Sequence, residues 1–312
     1  MTVDALKTRS KPYHQGILSA LCIFLSFIMI LLGEYIKEGV YDGLSFSIKV
    51  IVPTLFPFFI LSDIWAACFS AKNDGILSRS FERLFNINGC GIRAMLCGLV
   101  CGFPLGVKAA SELYIEKKIT KDEFERLSGF VNNPSAAFII SGVGAGMLGD
   151  YRAGILLYCS VILSSVSVGI IFRGRKREFK NCNVNIRQNF NLVNSIKNAA
   201  MTSINVASYI TFFSGILCIV EHFYKNPAGQ ALISSILEVG NATRLISSFP
   251  NFELPTKLAL IGFSLGFSGM SVHMQAMSFY DRKSIPKKYL LMKTLQGLLS
   301  ALVSFIFAFF LA

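Results

Sequence analysis

The sequence has little charge and a single tryptophan for a chain of 312 residues. Asp, Glu, Lys and Arg together make up only 15% of it, whereas 53% of the residues are hydrophobic. A soluble domain of this size needs a charged surface of roughly a quarter of its residues. The scarcity of charge therefore excludes a soluble enzyme, a secreted disulfide scaffold and a disordered tail, and it indicates a polytopic membrane protein.

The motifs of several enzyme and pump classes are also absent. The sequence contains no C-x-x-C pair, no P-loop, no nucleophile elbow and no H-E-x-x-H segment. These absences argue against a metal site, an intramembrane enzyme and an ATP-driven pump. We therefore predict a protein that is not an enzyme, with no catalytic residue, no metal and no cofactor.

Acidic residues are few relative to basic ones, 18 against 30, which gives a net charge of +12. The Lys and Arg residues flank apolar segments, as the positive-inside rule expects of a membrane protein, rather than forming a patch for nucleic acid. The tail 1–16 and the segment 173–197 are both basic, so both are predicted to face the cytoplasm. We expect the lipid bilayer as a partner and no nucleic acid.

Apolar runs of about 20 residues, the length that spans a bilayer, recur along the chain. They are 17–33, 50–69, 152–172, 199–220, 258–280 and 289–311. Two further stretches, 94–111 and 127–149, contain glycine, proline and polar residues. The two cytoplasmic segments require an even number of crossings between them, and the runs 17–33, 50–69 and 152–172 supply three. One of the two further stretches therefore crosses completely, and the other is re-entrant. The sequence thus predicts an all-α fold with about seven spanning helices plus a re-entrant segment.

The two halves of the chain resemble each other. Residues 47–50 (Ser-Ile-Lys-Val) match residues 203–206 (Ser-Ile-Asn-Val), and the Gly-x-x-x-Gly-Phe pattern at 98–103 matches that at 262–267. The common order of the matches indicates a duplication, and an odd number of crossings in each half makes it an inverted repeat. The predicted domains are a basic tail with an uncleaved first helix, a first repeat, a basic cytoplasmic linker and a second repeat, at 1–45, 46–172, 173–198 and 199–312.

Glycine and proline interrupt corresponding segments of the two halves. In inverted repeats, such paired interruptions are typical of secondary transporters, which bind substrate where the interrupted segments meet. The alternative is that the glycines only allow close helix packing. The residues assigned to broken helices are Gly102, Pro104, Gly106, Pro134, Gly266 and Gly269.

Polar side chains beside these interruptions form the candidate site, because a polar group inside a bilayer is costly. The order Asn132-Asn133-Pro134 favours a new half-helix with proline in its first turn and an asparagine as its cap. The N-terminus of such a half-helix favours an anion. The candidate substrate-binding residues are Lys108, Asn132, Asn133, Ser135, Ser268, Ser271 and Gln275.

His273 and Asp63 are the candidates for coupling transport to a proton or a cation. A structural role stays open for both residues and for Lys108. His273 is alternatively a hydrogen-bonded packing residue, and Asp63 and Lys108 alternatively lie at the membrane interface.

Two charged segments carry no predicted chemistry. Residues 116–126 are predicted to form a solvated surface helix, capped by Thr120 with Glu123 three residues later. Glu238 is predicted to face solvent unless the segment 229–247 enters the membrane.

Four segments of the sequence resemble the sporulation integral membrane proteins of the YlbJ-like group. The segments are 53–59, 102–108, 132–134 and 269–275, and the resemblance extends over most of residues 46–311. It implies a nucleoside-recognition, or gate, domain that occurs twice, and a distant similarity to concentrative nucleoside transporters. It also implies a role in endospore formation, with passage of dipicolinate from the mother cell towards the forespore. Dipicolinate is a small planar dianion, which suits the predicted preference for anions.

The predicted function is a secondary transporter or facilitator for a small anionic or polar metabolite, foremost dipicolinate during endospore formation. The predicted location is the cell membrane, at the forespore membrane that faces the mother cell. The predicted partners are a small-molecule substrate, the lipid bilayer and other membrane proteins, and a homo-oligomer stays open. The alternatives are a nucleoside-type transporter and a non-transporting scaffold or regulator that recruits partners through the basic loop 173–197.

Overall fold

The computed structural model describes residues 12–68, 75–175, 191–280 and 286–311. Within these ranges every regular element is a helix, which confirms the predicted all-α polytopic membrane class. The α-helices are α1 (Pro12–Leu31), α2 (Gly33–Phe46), α3 (Val52–Cys68), α4 (Ile76–Phe85), α5 (Ile92–Val100), α6 (Leu105–Ile115), α7 (Lys121–Val131), α8 (Tyr151–Ile171), α9 (Leu192–Phe223), α10 (Pro227–Leu237), α11 (Val239–Ser248), α12 (Leu254–Phe267), α13 (Gly269–Met277) and α14 (Lys287–Ala308). Two π-helical segments, Ser47–Ile51 and Phe138–Met147, and a 3₁₀ turn, Gly89–Gly91, lie between them.

Four helical stretches of the described chain are long and apolar enough to cross a membrane. They are Gly33–Ile64, Tyr151–Ile171, Leu192–Phe223 and Lys287–Ala308. The predicted span 258–280 is formed in two pieces, α12 and α13, with a break between them. Residues 176–190 and 281–285, which belong to the predicted basic loops, lie outside the described residues. The number of crossings, the inverted repeat and the domain boundaries stay predictions.

The second span begins earlier than predicted. The sequence interpretation started it at residue 50, but one helical stretch runs from Gly33 to Ile64. Its first part, α2, carries charged residues and therefore lacks the apolar run by which spans are found. A Cβ on Gly39 would lie 2.5 Å from the carbonyl oxygen of Ser214, and one on Gly43 2.6 Å from the hydroxyl of Ser214. These glycines allow α2 to pack closely against α9.

Gly98 and Gly106 serve close packing rather than a helix break. Gly98 lies in α5 and Gly106 lies in α6, and a Cβ on either would overlap the carbonyl oxygen of Val131. The assignment of Gly106 to a broken helix is therefore wrong, and the packing alternative holds for it. Gly266 also lies inside a helix, α12, where a Cβ would lie 2.9 Å from the Cα of Gly297 in α14.

Hydrogen bonds join α4, α7 and α14 at one end of the molecule. Arg126 donates to the carbonyl oxygens of Phe85 and Asn86, both at 3.0 Å. Lys288 pairs with Asp122 at 3.0 Å. Partial burial acts to raise the pKa of Asp122, but the hydrogen bonds from Lys288 and Arg126 outweigh it and hold that pKa below its ordinary value.

Helix α7 is only partly the solvated surface helix that was predicted. Its capping box is confirmed, because the Thr120 hydroxyl accepts from the Glu123 amide at 3.3 Å and Glu123 accepts from the Thr120 amide at 2.7 Å. The other carboxylate oxygen of Glu123 accepts from the amide of Asn88 at 2.9 Å, and both Glu123 and Arg126 are buried. The inner face of α7 thus forms hydrogen bonds to backbone groups at and after the end of α4. The charge pattern of the sequence did not show this tertiary contact.

Candidate functional site

Four helix breaks interrupt apolar segments of the described chain. They lie at residues 101–104, 132–135, Glu238 and 268–269. Gly102 and Gly269 have φ angles of 82° and 74°, in the left-handed region that glycine adopts without steric cost. Ser268 also has a positive φ, 76°, which a side chain adopts only where its surroundings hold it. The first break overlaps the end of the Gly-x-x-x-Gly-Phe pattern of the first half. The fourth break directly follows the same pattern in the second half.

The second break has a different cap from the predicted one. Ser135, rather than an asparagine, caps the following helix, because its hydroxyl accepts from the Phe138 amide at 3.1 Å. Asn133 instead donates to the carbonyl oxygen of Phe130 at 2.8 Å, at the end of α7. Pro134 lies between the two helices. The prediction of an asparagine cap is therefore wrong, since Asn133 is needed to satisfy the helix that ends there.

The four breaks meet at one small cavity, which we name the junction cavity. Phe103, Ser135 and Glu238 line it from the first three breaks, and Ser271 lines it directly after the fourth. Gln275 lies one turn further along α13 on the same lining. Half of the remaining lining residues come from apolar positions of the long helices Gly33–Ile64 and α9. The cavity has a volume of about 20 Å³, enough for one water molecule.

The polar groups of the junction cavity have unused hydrogen-bonding capacity. The hydroxyl of Ser271 and the side-chain oxygen of Gln275 are buried and lack a partner among the described residues. Glu238 caps α11, accepting from the amides of Gly240 at 2.9 Å and Asn241 at 2.6 Å. Its side chain is only 1% exposed, so the expectation that it faces solvent is wrong and its segment turns into the interior. A bound solute with N–H or O–H groups would satisfy these acceptors.

A second group of buried polar side chains includes two residues of the 132–135 break. We name it the lysine cluster, and it consists of Asn132, Asn133, His273, Tyr289, Lys293 and Gln296. Lys293 donates to the carbonyl oxygen of Asn132 and to the side-chain oxygen of Gln296, both at 2.8 Å. Gln296 donates to the side-chain oxygen of Asn133 at 2.6 Å. These bonds connect the second break to α14.

Lys293 carries its amino group into a fully enclosed position. The residue is 0% exposed, and no carboxylate of the described residues pairs with it. The side-chain oxygen of Asn132 and Nε2 of His273 are buried nearby in the same cluster without partners. An enclosed cation that lacks a counter-ion is costly. The cluster is therefore suited to receive a negative charge.

His273 belongs to the lysine cluster through Tyr289. Its Nδ1 lies 3.3 Å from the Tyr289 hydroxyl, and that hydroxyl also accepts from the Asn132 amide group at 2.8 Å. The imidazole packs edge-on against Phe267, with ring centroids 4.8 Å apart. This position combines helix packing with contact to the cluster, and the coupling role of His273 stays a prediction.

Lys108 and Asp63 form an ion pair that lies apart from the other candidate residues. The Lys108 amino group is 3.1 Å from one Asp63 oxygen, and Asn198 donates to the other oxygen at 3.1 Å. The pair lines a separate small cavity beside a second ion pair, Arg93–Glu112 at 3.2 Å. Asp63 already neutralises Lys108, so the geometry does not favour Lys108 as the anion ligand. Neither residue lines the junction cavity.

The candidate substrate residues are thus divided among several places. The junction cavity takes Ser135, Ser271 and Gln275, and the lysine cluster takes Asn132 and Asn133. Ser268 is buried at the fourth break, where its hydroxyl donates to the carbonyl oxygen of Leu265 at 3.2 Å, and it lines neither place.

Sequence reasoning missed part of the candidate site. The missed residues are Glu238, Tyr289, Lys293 and Gln296. Lys293 lies near the start of the run 289–311, next to a basic loop. A lysine is expected at the membrane interface there and does not indicate a site. Gln296, Ser300 and Ser304 follow it at three- and four-residue intervals, so one face of an otherwise apolar helix is polar. That periodicity was a usable signal.

Fold and site together define a polytopic α-helical membrane protein with a polar interior at broken helices. The chain is similar to "Sporulation integral membrane protein YlbJ" of Bacillus subtilis (strain 168). The identity is 26% over 329 aligned positions, which cover 91% of this chain and 80% of the relative. No family model and no solved structure matches the chain. The similarity confirms the predicted resemblance to the YlbJ-like group and indicates a sporulation-related integral membrane protein.

Proposed function

We propose that this protein is a membrane transporter that moves a small anionic metabolite, dipicolinate, during endospore formation. The observation that carries the proposal is the meeting of four helix breaks at one small buried cavity that contains polar groups. Non-helical backbone inside a membrane is tolerated only where protein or water surrounds it, and transporters bind their substrates at such breaks. The similarity to a sporulation protein supports a role in spore formation and, with it, the forespore membrane that faces the mother cell.

The lysine cluster supports an anion as the substrate. Lys293 brings an amino group into the interior, where its hydrogen-bond partners, the Asn132 carbonyl and the Gln296 side-chain oxygen, are neutral. A substrate carboxylate beside the ammonium would supply the missing counter-charge, and charge-assisted hydrogen bonds are the stronger kind.

The described conformation is closed to a substrate of this size. Lys293 and Asn132 are fully buried, and the junction cavity holds about 20 Å³. Small-molecule sites usually have about 300 Å³ or more. We therefore interpret the conformation as occluded, and transport requires the 132–135 break to move apart from α14.

A nucleoside-type transporter is the second candidate function, and the junction cavity favours it. The acceptor oxygens of Glu238 and Gln275 suit the hydroxyl and N–H donors of a neutral planar solute. A non-transporting scaffold is the third candidate. It depends on the basic loop 173–197, most of which lies outside the described residues, and it gives no role to an enclosed lysine.

Uptake into vesicles that contain the purified protein tests the proposal, with labelled dipicolinate and labelled uridine as solutes. We expect saturable uptake of dipicolinate that excess uridine does not reduce. Saturable uptake of uridine instead would favour the nucleoside-type transporter. No uptake of either solute by folded protein would refute transport by this chain alone and favour the scaffold.

Replacement of Lys293 tests the anion ligand. We expect Lys293→Gln to lower dipicolinate uptake at least about tenfold, because a hydrogen bond to a charged group contributes about 1.5–3 kcal/mol. Lys287→Gln, an exposed change on the same helix, is the matched control and should leave uptake unchanged. Gel filtration shows whether each variant is folded. Equal uptake by Lys293→Gln and the wild type would remove Lys293 from the binding site.

A further inference from the structure

A larger cavity lies beside the junction cavity, and its lining is basic and hydroxyl-rich. We name it the vestibule. It has a volume of about 560 Å³. Its lining residues are Phe46, Lys49, Val50, Thr54, Ser141, Gly142, Gly146, Met147, Arg244, Ser247 and Ser248. None of these lining residues is acidic, and this volume is within the usual range of small-molecule sites, about 300–1,000 Å³.

Two cations of the vestibule are available to a ligand. Lys49 and Arg244 are both exposed, and neither forms an ion pair among the described residues. The guanidinium of Arg244 lies 6.0 Å from the ring centroid of Phe46, which orients it over an aromatic face of the same lining. The planar guanidinium binds a carboxylate through two parallel hydrogen bonds, and Lys49 adds a second positive charge.

The position of Lys49 indicates that the vestibule is filled with water. Lys49 lies midway along the 32-residue stretch Gly33–Ile64, which is apolar enough to cross the membrane. A charged side chain at such a depth faces a polar cavity rather than lipid. The two π-helical segments of the described chain, Ser47–Ile51 and Phe138–Met147, both contribute lining residues. Such departures from the α-helix are frequent at functional sites.

The vestibule and the junction cavity share the same elements. Val50 lines the vestibule and its neighbour Ile51 lines the junction cavity. On α11, Arg244 lines the vestibule and Gly240, one turn earlier, lines the junction cavity. The two cavities are therefore adjacent, and the larger one is the more basic.

We infer that the vestibule is an anion-binding site that captures a dicarboxylate before it moves into the interior of the protein. This inference rests on the proposed function, because it supplies the first binding site for the same anion. Arg244 holds one carboxylate and Lys49 holds the other, with Thr54 and Ser141 as hydroxyl groups on the lining. The two cations make a dianion the preferred ligand over a monoanion or a neutral solute.

The test compares two double variants in vesicles of neutral lipid. Lys49→Gln/Arg244→Gln removes the cations of the vestibule. Arg79→Gln/Lys197→Gln removes the same charge from exposed residues that do not line it. For dipicolinate uptake we expect the first double variant to raise KM about tenfold with an unchanged maximal rate. Each exposed charge pair contributes up to about fivefold, and this variant removes two such pairs. Picolinate, which has one carboxylate, should be affected less, and the control should match the wild type.

The outcomes separate this inference from the proposed function. Dipicolinate uptake with the same KM in the wild type and both double variants overturns the vestibule and leaves transport standing. Absence of uptake in the wild type overturns transport, and equilibrium binding of labelled dipicolinate then decides the vestibule. Binding weakened only by Lys49→Gln/Arg244→Gln supports the anion site, and binding that is absent or equal in all three proteins overturns it. Loss of dipicolinate binding when anionic lipid is added would assign the vestibule to a lipid head group and overturn the soluble anion.

Discussion

The hydrogen bond between Gln296 and Asn133 ties α14 to the second helix break, and its removal tests how the interior is held together. The two buried side chains are 2.6 Å apart. Asn133→Ala removes this bond and the bonds to the Phe130 carbonyl and the Ser165 hydroxyl, and it leaves the Gln296 amide without a partner. The free energy of unfolding should fall by about 2–3 kcal/mol. Gln296→Ala should cost a similar amount, because it removes the same bond and an acceptor of Lys293.

A double-mutant cycle isolates the shared hydrogen bond. The double variant loses that bond only once. The sum of the losses in free energy of unfolding for the two single variants should therefore exceed the loss for the double variant by about 0.6–1.5 kcal/mol. The assay is unfolding in mixed micelles with increasing sodium dodecyl sulfate. Asn133→Ala combined with Ser167→Ala, an exposed change on α8, is the control pair and should be additive. Additivity of Asn133→Ala and Gln296→Ala to within about 0.3 kcal/mol would refute the bond between the second break and α14.

Two further predictions concern close packing and the ion pair. Gly98→Ala should lower the free energy of unfolding by about 2 kcal/mol, because its Cβ would overlap the Val131 carbonyl oxygen. Gly142→Ala, whose Cβ would meet only an aromatic ring at 3.4 Å, should change it little in the same detergent assay, and equal effects would contradict the close contact. If the pair of Asp63 and Lys108 is structural, exchanging the two charges should restore the uptake that either single reversal reduces. Uptake that stays lost after the exchange would indicate that Lys108 contacts the substrate.

Three of the four helix breaks were predictable because the residues that form them act locally, whereas the break at Glu238 was not. Gly102 and Gly269 allow a left-handed backbone that other residues adopt only at a cost, and Pro134 lacks the N–H that a continuing helix needs. Each of these effects depends on one residue and its neighbours. The sequence therefore located the interrupted segments without knowledge of the packing.

The partners of the polar side chains were not predictable in the same way. Lys108 meets Asp63, which precedes it by 45 residues, and Lys293 meets the carbonyl of Asn132, which precedes it by 161. Such pairs depend on which helix faces which, and one sequence does not give that information. Charge and hydrophobicity alone therefore assigned Lys108 to the anion and overlooked Lys293.

The vestibule and the lysine cluster differ in how strongly they would hold an anion. This difference gives the order in which an anion would occupy them. At the vestibule, Lys49 and Arg244 are exposed, so they attract an anion at little desolvation cost and bind it weakly. Lys293 is enclosed, so its attraction for an anion is stronger, but the anion must first lose its water. The 132–135 break contributes residues to both the junction cavity and the lysine cluster and is held to α14 by hydrogen bonds. On the proposed function, the separation of that break from α14 is therefore the slow step, because the dehydration of the anion and the loss of those bonds occur together.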